Sequence, residues 1–291
     1  MSRSVKEGSA TRFMIKEARI IGLARWLQTA PGRYLLAWEQ AQLDHGVSDL
    51  FGFHALQLGL PELDALRANR MPHRWLATDL SWPDDAPPPP GDELEGPPAV
   101  PRAKAVLHCD FDALPFETQS LDLVVLPHAL ELARDPHLAL REVDRVLMPE
   151  GRIVIVGFNP TSLWGLRQRL GRVRRGLGLG RATPLFLPGE GEFIGYWRLR
   201  DWLRLLSFEV ERGRFGCYRP PLATQRWIER WGWMERAGDR WWPVFGAVYF
   251  LMAVKRVRGM RLIGLAKQER RKPKAAPAVV TNRRREPCEA E

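Results

Sequence analysis

One segment near the middle of the sequence constrains the fold more than any other, because strand, helix and strand patterns follow one another with short connections. Leu121–Leu126 is a continuous aliphatic and β-branched run, which is typical of a strand covered on both faces. Asp135 and Pro136 suit the N-cap and the first position of a helix. Arg152–Phe158 repeats the buried-strand pattern. This order predicts a βαβ unit, a parallel sheet and therefore an α/β fold.

The flanking sequence adds further elements to this prediction. Residues 1–43 carry apolar residues at helical spacing, interrupted at Pro31, and predict an N-terminal helical segment. Pro61–Arg70 predicts a helix with proline in its first turn. Towards the other end, Ser207–Arg212 and Phe245–Val254 predict two strands that pair antiparallel and close one edge of the sheet.

The positive charge is concentrated in two segments rather than spread over the chain. The 291 residues have a formal net charge of +10. Residues 163–181 contribute +6 and residues 255–291 contribute +8, which leaves −4 for the rest. We interpret 256–291 as a basic, disordered tail because it is polar and has no apolar periodicity. Residues 83–101 hold eight prolines and five acids and predict an exposed loop.

Several classes of protein are disfavoured by the sequence. The three cysteines are far apart and form no even framework, so a disulfide scaffold is not expected. The histidines have no metal-ligand spacing with those cysteines, and we predict no metal site. The longest apolar stretch, within Phe245–Val254, is about half a membrane span, and the first residues do not resemble a signal peptide. These features predict a soluble, cytoplasmic protein.

The segment from Asp110 to Arg152 resembles class I S-adenosylmethionine-dependent methyltransferases of the type 11 group. Members of that group show a D-A-x-x-L-P-F run, an S-F-D-x-V-V strand, and a helix that ends R-V-L-K-P-G-G before a further strand. The matching pieces are Leu114–Phe116, Ser120–Val125, Arg145–Gly151 and Arg152–Ile155, in the same order and at similar spacing over about 50 residues.

This resemblance implies a fold and a domain organisation. The expected fold is a Rossmann-like, seven-stranded methyltransferase sheet, mostly parallel, with an antiparallel C-terminal hairpin strand and helices on both faces. The domain would occupy residues 44–255, with the proline-rich loop at 83–101 and a basic insertion at 163–197.

The resemblance also implies a methyltransferase that uses S-adenosylmethionine, and it suggests cofactor-binding residues. Asp110 corresponds to the acid that accepts a hydrogen bond from the adenine amino group, with Phe111 beside the ring, and we favour this over the alternative that Asp110 is only a turn residue at a strand end. Asp79 matches the acid that accepts both ribose hydroxyls, because a carboxylate offers two acceptor oxygens. Pro127 ends the next strand, and His128 follows it as either a general base or a structural hydrogen-bonding residue.

The glycine-rich first motif of the family is missing. We place the corresponding stretch at Asp49–Gly59, where Gly52 and Phe53 would contact the cofactor, but no G-x-G is present. Two interpretations therefore remain: an active methyltransferase whose loop binds the cofactor differently, or a methyltransferase-fold protein that works only by binding. Methyl transfer needs little acid–base chemistry, so the lack of an obvious catalytic acid excludes neither.

The methyl acceptor is not identified by any motif, and a small molecule is the default expectation. RNA or an anionic membrane surface is an alternative partner, through Arg167–Arg181 and the C-terminal tail. Tryptophans near residues 227–242 would suit an interfacial surface, but helical spacing more often reflects core packing, and we favour packing. The tryptophans concerned are Trp227, Trp231, Trp233, Trp241 and Trp242.

Overall fold

The computed structural model describes residues 22–79, 107–177, 186–187 and 193–256. The predicted proline-rich loop at 83–101 and the predicted disordered tail beyond residue 256 lie outside these residues. Within them, a seven-stranded sheet has the strand order β3-β2-β1-β4-β5-β7-β6. The first five strands are parallel, and β7 pairs antiparallel with both β5 and β6. The predicted α/β class and the antiparallel C-terminal pair are confirmed.

The elements follow one another in a simple order along the chain. After helical residues 22–27 come α1, β1, β2, β3, β4, two helices, β5, two more helices, β6, two short helices and β7. Their bounds are α1 Ala30–Val47, β1 His54–Leu58, β2 His73–Thr78, β3 Leu107–His108, β4 Leu121–Pro127, α2 Ala129–Leu132, α3 Pro136–Val146, β5 Leu147–Phe158, α4 Leu163–Gly176, α5 Tyr196–Leu205, β6 Phe208–Gly216, α6 Gln225–Arg230, α7 Trp233–Trp241 and β7 Val248–Lys255.

Helix starts in this chain follow from local capping. The Asp135 carboxylate accepts hydrogen bonds from the backbone N–H groups of His137 and Leu138 at 2.8 and 3.3 Å, with Pro136 in the first turn of α3. Ser162 caps α4 in the same way, through the N–H of Gly165 at 3.1 Å. The predicted start of the crossover helix at Asp135 is therefore confirmed.

Alternate residues of the central strands supply two separate apolar cores. In β4, Leu123 and Val125 face one core while Val124 and Leu126 face the other. The first core also holds α1 and α4, and the second holds α3 and α5. Helices therefore cover both faces of the sheet, which explains why β4 and β5 are almost continuously apolar.

The helix predicted over Pro61–Arg70 is absent, and turns take its place. The cause is the buried side chain of Gln57 in β1. Its amide nitrogen donates to the carbonyl oxygens of Gly59, Leu60 and Leu63 at 2.6–3.2 Å, and its Oε1 accepts from the N–H of Ala65 at 2.9 Å. These bonds use the backbone groups that a helix would pair internally, so the segment folds as a compact loop.

The tryptophans near the C-terminal end are less buried than predicted. Four of the five are exposed by half or more of their surface, so core packing is wrong for them: Trp227, Trp233, Trp241 and Trp242. Instead of one tryptophan-rich helix, the segment forms the two short helices α6 and α7. The buried residues of these two helices are Ile228 in α6 and Gly238 in α7.

Candidate functional site

Two carboxylates lie at the carboxyl ends of neighbouring parallel strands. Asp79 directly follows β2 and is buried, whereas Asp110 follows β3 and is exposed. The two chain segments are joined by the N–H of Cys109, which donates to the carbonyl oxygen of Thr78 at 3.0 Å. Burial and the negative charges of Asp79 and Asp110 raise the pKa of the Cys109 thiol to about 11. Both predicted acids therefore lie close enough to the Cys109 thiol to raise its pKa, and they share one part of the sheet edge.

The loop after β1 reaches the same edge. Gly59 has φ +78° and donates its N–H to the carbonyl oxygen of Ala77 at 2.8 Å. A Cβ atom at Gly59 would lie 3.6 Å from both the Phe111 ring and Ala129. The segments that follow β1, β3 and β4 therefore converge around Gly59. Open α/β sheets bind their ligands at this edge, outside the carboxyl ends of the strands.

Gly52 and Phe53, which were predicted to contact the cofactor, do not lie at this edge of the sheet. Both residues precede β1, so they lie at the opposite edge of the sheet from Asp79 and Asp110. A Cβ atom at Gly52 would lie 2.5 Å from the side chain of Asp122, and Phe53 is largely exposed. Asp122 accepts from the N–H groups of Phe53 and His54 at 2.9 and 3.0 Å. These residues join the starts of two strands.

The error came from the position of β1 along the chain. The strand begins only at His54, so its glycine is Gly59 and the loop that follows it is Gly59–Leu63. This loop has a single glycine, and no helix follows it. The correct signal was the short, mostly apolar run over His54–Leu58, which ends at Gly59 as strand–turn patterns do.

His128 lies at the end of β4, between two carboxyl groups. Its Nδ1 is 2.8 Å from Oε2 of Glu131, and its Nε2 is 2.8 Å from Oε1 of Glu39 on α1. The imidazole is fully buried, and Glu39 is buried as well. Burial lowers the pKa of His128, but the two neighbouring carboxyl groups outweigh it and raise the pKa to about 10.

The geometry favours the structural interpretation of His128 over the general base. Both ring nitrogens lie 2.8 Å from carboxyl oxygens of Glu39 and Glu131, so both are engaged inside the protein. Glu131 also accepts from the N–H of Phe158 at 2.6 Å. The cluster Glu39–His128–Glu131 joins α1 to the ends of β4 and β5 and has a structural role.

The sequence contained signals for the two carboxyl groups beside His128, which we did not predict as its partners. Glu39 lies four residues after Leu35 and four before Leu43, both fully buried, so its helical position predicts burial. Glu131 is three residues after His128, within reach along a helical turn.

Pro127 was predicted as a cofactor-binding residue. It is the buried last residue of β4, opposite Val156 in β5, and offers only backbone to the edge.

The L-P-F loop that carried the family resemblance is held by α3. The Arg145 guanidinium donates to the carbonyl oxygens of Leu114 and Phe116, both at 3.0 Å. The Glu142 carboxylate accepts from the Leu114 N–H at 3.3 Å and pairs with Arg145 at 2.9 Å. Hydrogen bonding to Arg145 lowers the pKa of Glu142. This motif therefore shapes the connection between β3 and β4.

The residues at this edge fit the nucleoside half of S-adenosylmethionine. Asp79 and Asp110 offer carboxylate oxygens to hydroxyl and amino donors, and the Phe111 ring lies beside Gly59. Leu60 and Leu63 follow Gly59 in this loop. Their side chains belong to the core on the other face of the sheet from Phe111 and Ala129.

The described part of the chain has neither a metal-ligand cluster nor a helix suited to span a membrane. Residues 22–79, 107–177, 186–187 and 193–256 contain no group of three or more His, Cys, Asp or Glu side chains arranged around a common point. In the same ranges, no helix has the length and apolarity needed to cross a bilayer.

Comparison with known proteins gives sequence relatives over part of the chain. Residues 95–155 match a family model described as a methyltransferase domain. The uncharacterized protein YafS of Escherichia coli K12 is 34% identical over 170 residues, which cover 58% of this chain and 62% of YafS. The demethylmenaquinone methyltransferase of Chlamydia pneumoniae is 41% identical over 54 residues, or 19% of this chain and 24% of that enzyme. The chain thus spans less than two thirds of the length of either relative.

A solved structure from Thermotoga maritima shares the fold over most of both chains. It is described as an S-adenosylmethionine-dependent methyltransferase and possible histamine N-methyltransferase. The match has a TM-score of 0.51 at 15% identity and covers 84% of this chain and 99% of that one. Residues 95–155 therefore resemble a methyltransferase domain in sequence, and the seven-stranded sheet has the fold of that methyltransferase structure.

Proposed function

We propose that this protein binds S-adenosylmethionine at the carboxyl edge of its sheet and transfers the methyl group to a small-molecule acceptor. The observation that carries the proposal is the pair Asp79 and Asp110, which lie at the ends of adjacent strands and both act on Cys109. An acidic edge of this kind suits a ligand that presents hydroxyl and amino donors together with a positive sulfonium.

Each residue at the edge has a distinct role in this proposal. Asp79 would accept from the ribose hydroxyls, and Asp110 from the adenine amino group. Phe111 would pack beside the adenine, and Gly59 would bring its backbone close to the ligand. The Glu39–His128–Glu131 cluster holds the ends of β4 and β5 in place, and thereby fixes one wall of the site.

The chemistry demands little of the protein beyond positioning. The sulfonium of S-adenosylmethionine supplies an activated methyl group, so orienting an acceptor against it accounts for much of the rate. With His128 fully paired, this chain is suited to acceptors whose nucleophile needs no strong base from the protein. The two methyltransferase relatives are named for a demethylmenaquinone and for a malonyl-acyl-carrier-protein acceptor, and each covers only a fifth of this chain.

Calorimetric titration with S-adenosylhomocysteine tests the proposal. Wild-type protein should bind it with one site per chain, and Asp110→Asn should weaken binding roughly 10- to 100-fold, because a hydrogen bond to a charged group contributes about 1.5–3 kcal/mol. Asp79→Asn should have a similar effect. Asp201→Asn is the matched control, because Asp201 is an exposed acid on α5, away from this edge.

The outcomes separate the two interpretations of the missing glycine motif. Weaker binding in both edge variants, with the control unchanged, supports a cofactor site at this edge. If wild-type protein binds no S-adenosylhomocysteine at millimolar concentration, the proposed methyl transfer is wrong. The remaining function would then be that of a methyltransferase fold that acts only by binding.

A further inference from the structure

Helix α4 exposes a continuous apolar stripe to solvent. The stripe residues are spaced alternately three and four apart, and each exposes between 47% and 68% of its surface: Leu163, Leu166, Leu170, Val173 and Leu177. The helix packs on the protein through a different face, with Trp164, Gly165 and Gln168 buried. An amphipathic helix in a globular protein normally turns its apolar stripe inwards, and α4 does the reverse.

Positive charge borders this stripe on both sides. Helix α4 contains five arginines and no acidic residue: Arg167, Arg169, Arg172, Arg174 and Arg175. All five are exposed. Arg167 and Arg172 lie over the rings of Phe186 and Phe193, at 4.7 and 5.8 Å, so part of the guanidinium row is held in place by the protein.

A second element extends the apolar surface. A cavity of about 440 Å³ separates the first turns of α4 from α7 and the short turn Pro243–Phe245. Leu163, Leu166 and Arg169 line one side of it, and the other side includes Met234, Trp242 and Phe245. Trp242 and Phe245 are about half exposed, and Trp241 beside them is 70% exposed. We call the exposed stripe of α4 together with these aromatic residues the α4–α7 face.

We propose that the α4–α7 face docks on the surface of an anionic lipid bilayer, with α4 lying in the plane of the interface. The apolar stripe would enter the boundary between headgroups and acyl chains, while the arginines contact lipid phosphates. Tryptophan is favoured at this depth because its ring is apolar and its N–H polar. The cavity would accept part of an acyl chain. The proposal is independent of the cofactor site.

The charge pattern argues against a second copy of the chain as the occupant. If the stripe is read as the a and d positions of a heptad, Arg167, Arg169 and Arg174 take the neighbouring e and g positions. Two copies packed along this seam would bring like charges together. RNA is also less suited, because the outermost side chains of the stripe are aliphatic and offer nothing to phosphates or base edges.

Flotation of the full chain with phospholipid vesicles tests the proposal. The protein should float with vesicles that contain phosphatidylcholine and phosphatidylglycerol, and much less with phosphatidylcholine alone. Binding should decrease as salt rises. Arg169→Gln with Arg174→Gln should reduce partitioning roughly 25-fold, since a basic residue near an anionic surface contributes about 1 kcal/mol, or about fivefold.

A neutral double variant separates α4 from the basic C-terminal tail, which keeps its charge in every variant. Leu166→Gln with Leu170→Gln should abolish flotation without changing net charge. The matched control is Leu138→Gln with Leu205→Gln, two exposed leucines on α3 and α5, whose helices pack on the other core. Both doubles should keep the wild-type melting temperature, because all four side chains are exposed.

Three results would overturn the proposal. The first is flotation of the Leu166/Leu170 variant as strongly as wild type, which would assign the binding to charge alone. The second is a wild-type dimer in sedimentation velocity that the same variant abolishes, with no flotation, which would make a second copy the partner. The third is preferential binding of single-stranded RNA that displaces the protein from vesicles.

Discussion

At the scale of single residues, the most informative feature is the buried cluster Glu39–His128–Glu131. A histidine between two carboxyl groups is stabilised as an imidazolium, since the charges of its neighbours outweigh the cost of burial. Burial raises the pKa of Glu39, and its Oε2 has no hydrogen-bond partner among the described residues.

The protonation of His128 can be measured directly. Nitrogen-detected NMR of the imidazole should show both ring nitrogens protonated at pH 7, with a pKa near 10. Because this pKa is raised above its unfolded value of about 6.5, the stabilisation is fully present below pH 6.5 and is lost as the pH rises through 10. A pKa at or below 6.5 would contradict the arrangement.

Substitutions in the cluster should differ strongly in cost. Glu39→Gln keeps an acceptor oxygen for Nε2 but removes one of the two charges that raise the pKa of His128, so it should cost less than removal of the cation itself. His128→Leu leaves Glu39 and Glu131 without their cation and should cost about 3–5 kcal/mol. Urea unfolding compares the two, and equal costs would show that His128 is not the positive centre of the cluster.

At the scale of elements, Gln57 determines the loop that follows β1. One carboxamide satisfies three carbonyl groups and one N–H, and Leu60, Leu63 and Leu66 enter the core from the loop. A sequence pattern that shows apolar residues three apart predicts a helix, as we predicted for Pro61–Arg70. Such a pattern does not reveal that the Gln57 side chain, from the preceding strand, hydrogen-bonds to backbone groups that would otherwise pair within the helix.

Removal of this carboxamide tests its role. Gln57→Leu leaves several buried backbone groups without partners and should destabilise the protein by at least about 2 kcal/mol in urea unfolding. Gln40→Leu on α1 is the control, because it loses bonds only to the part-buried or exposed Asp44 and Asp64. If both variants lose the same small amount, the loop does not depend on Gln57.

Elements with a single strong pattern were predictable, and elements shaped by distant contacts were not. The strands Leu121–Pro127 and Leu147–Phe158 and the start of α3 at Asp135 follow from local periodicity and capping. The start of β1 was misplaced because the strand has only five residues and its sequence shows no clear alternation of apolar and polar residues. Exposure of the tryptophans was missed because helical spacing indicates an apolar face without showing what covers it.

At the scale of the whole molecule, the sheet brings together residues that are far apart in sequence. The order β3-β2-β1-β4-β5 places the ends of four strands, with Gly59, Asp79, Asp110 and Ala129, along one edge. The two acids were predictable because Asp79 directly follows β2 and Asp110 lies two residues beyond β3. The glycine at this edge, Gly59, was not predicted. A shift of the alignment by the length of one strand moves a residue to the opposite edge of the sheet, as it did for Gly52 and Phe53.

The two proposals assign separate surfaces to separate tasks. The carboxyl edge is acidic and suits a ligand with donor groups, while the α4–α7 face is apolar and basic. A methyltransferase with both would meet its acceptor close to a bilayer. Vesicle flotation is expected to be the same for wild type and Asp110→Asn, because the edge acids take no part in the α4–α7 face.

The most direct test of the account is a crystal structure of the protein with S-adenosylhomocysteine. We expect the nucleoside at the carboxyl edge, with hydrogen bonds to Asp79 and Asp110 and the backbone of Gly59 close to the ligand. Fully occupied ligand at the opposite edge beside Gly52, or in the cavity between α4 and α7, would contradict the assignment of the site. Crystals that stay free of ligand at saturating concentration would contradict the proposed function itself.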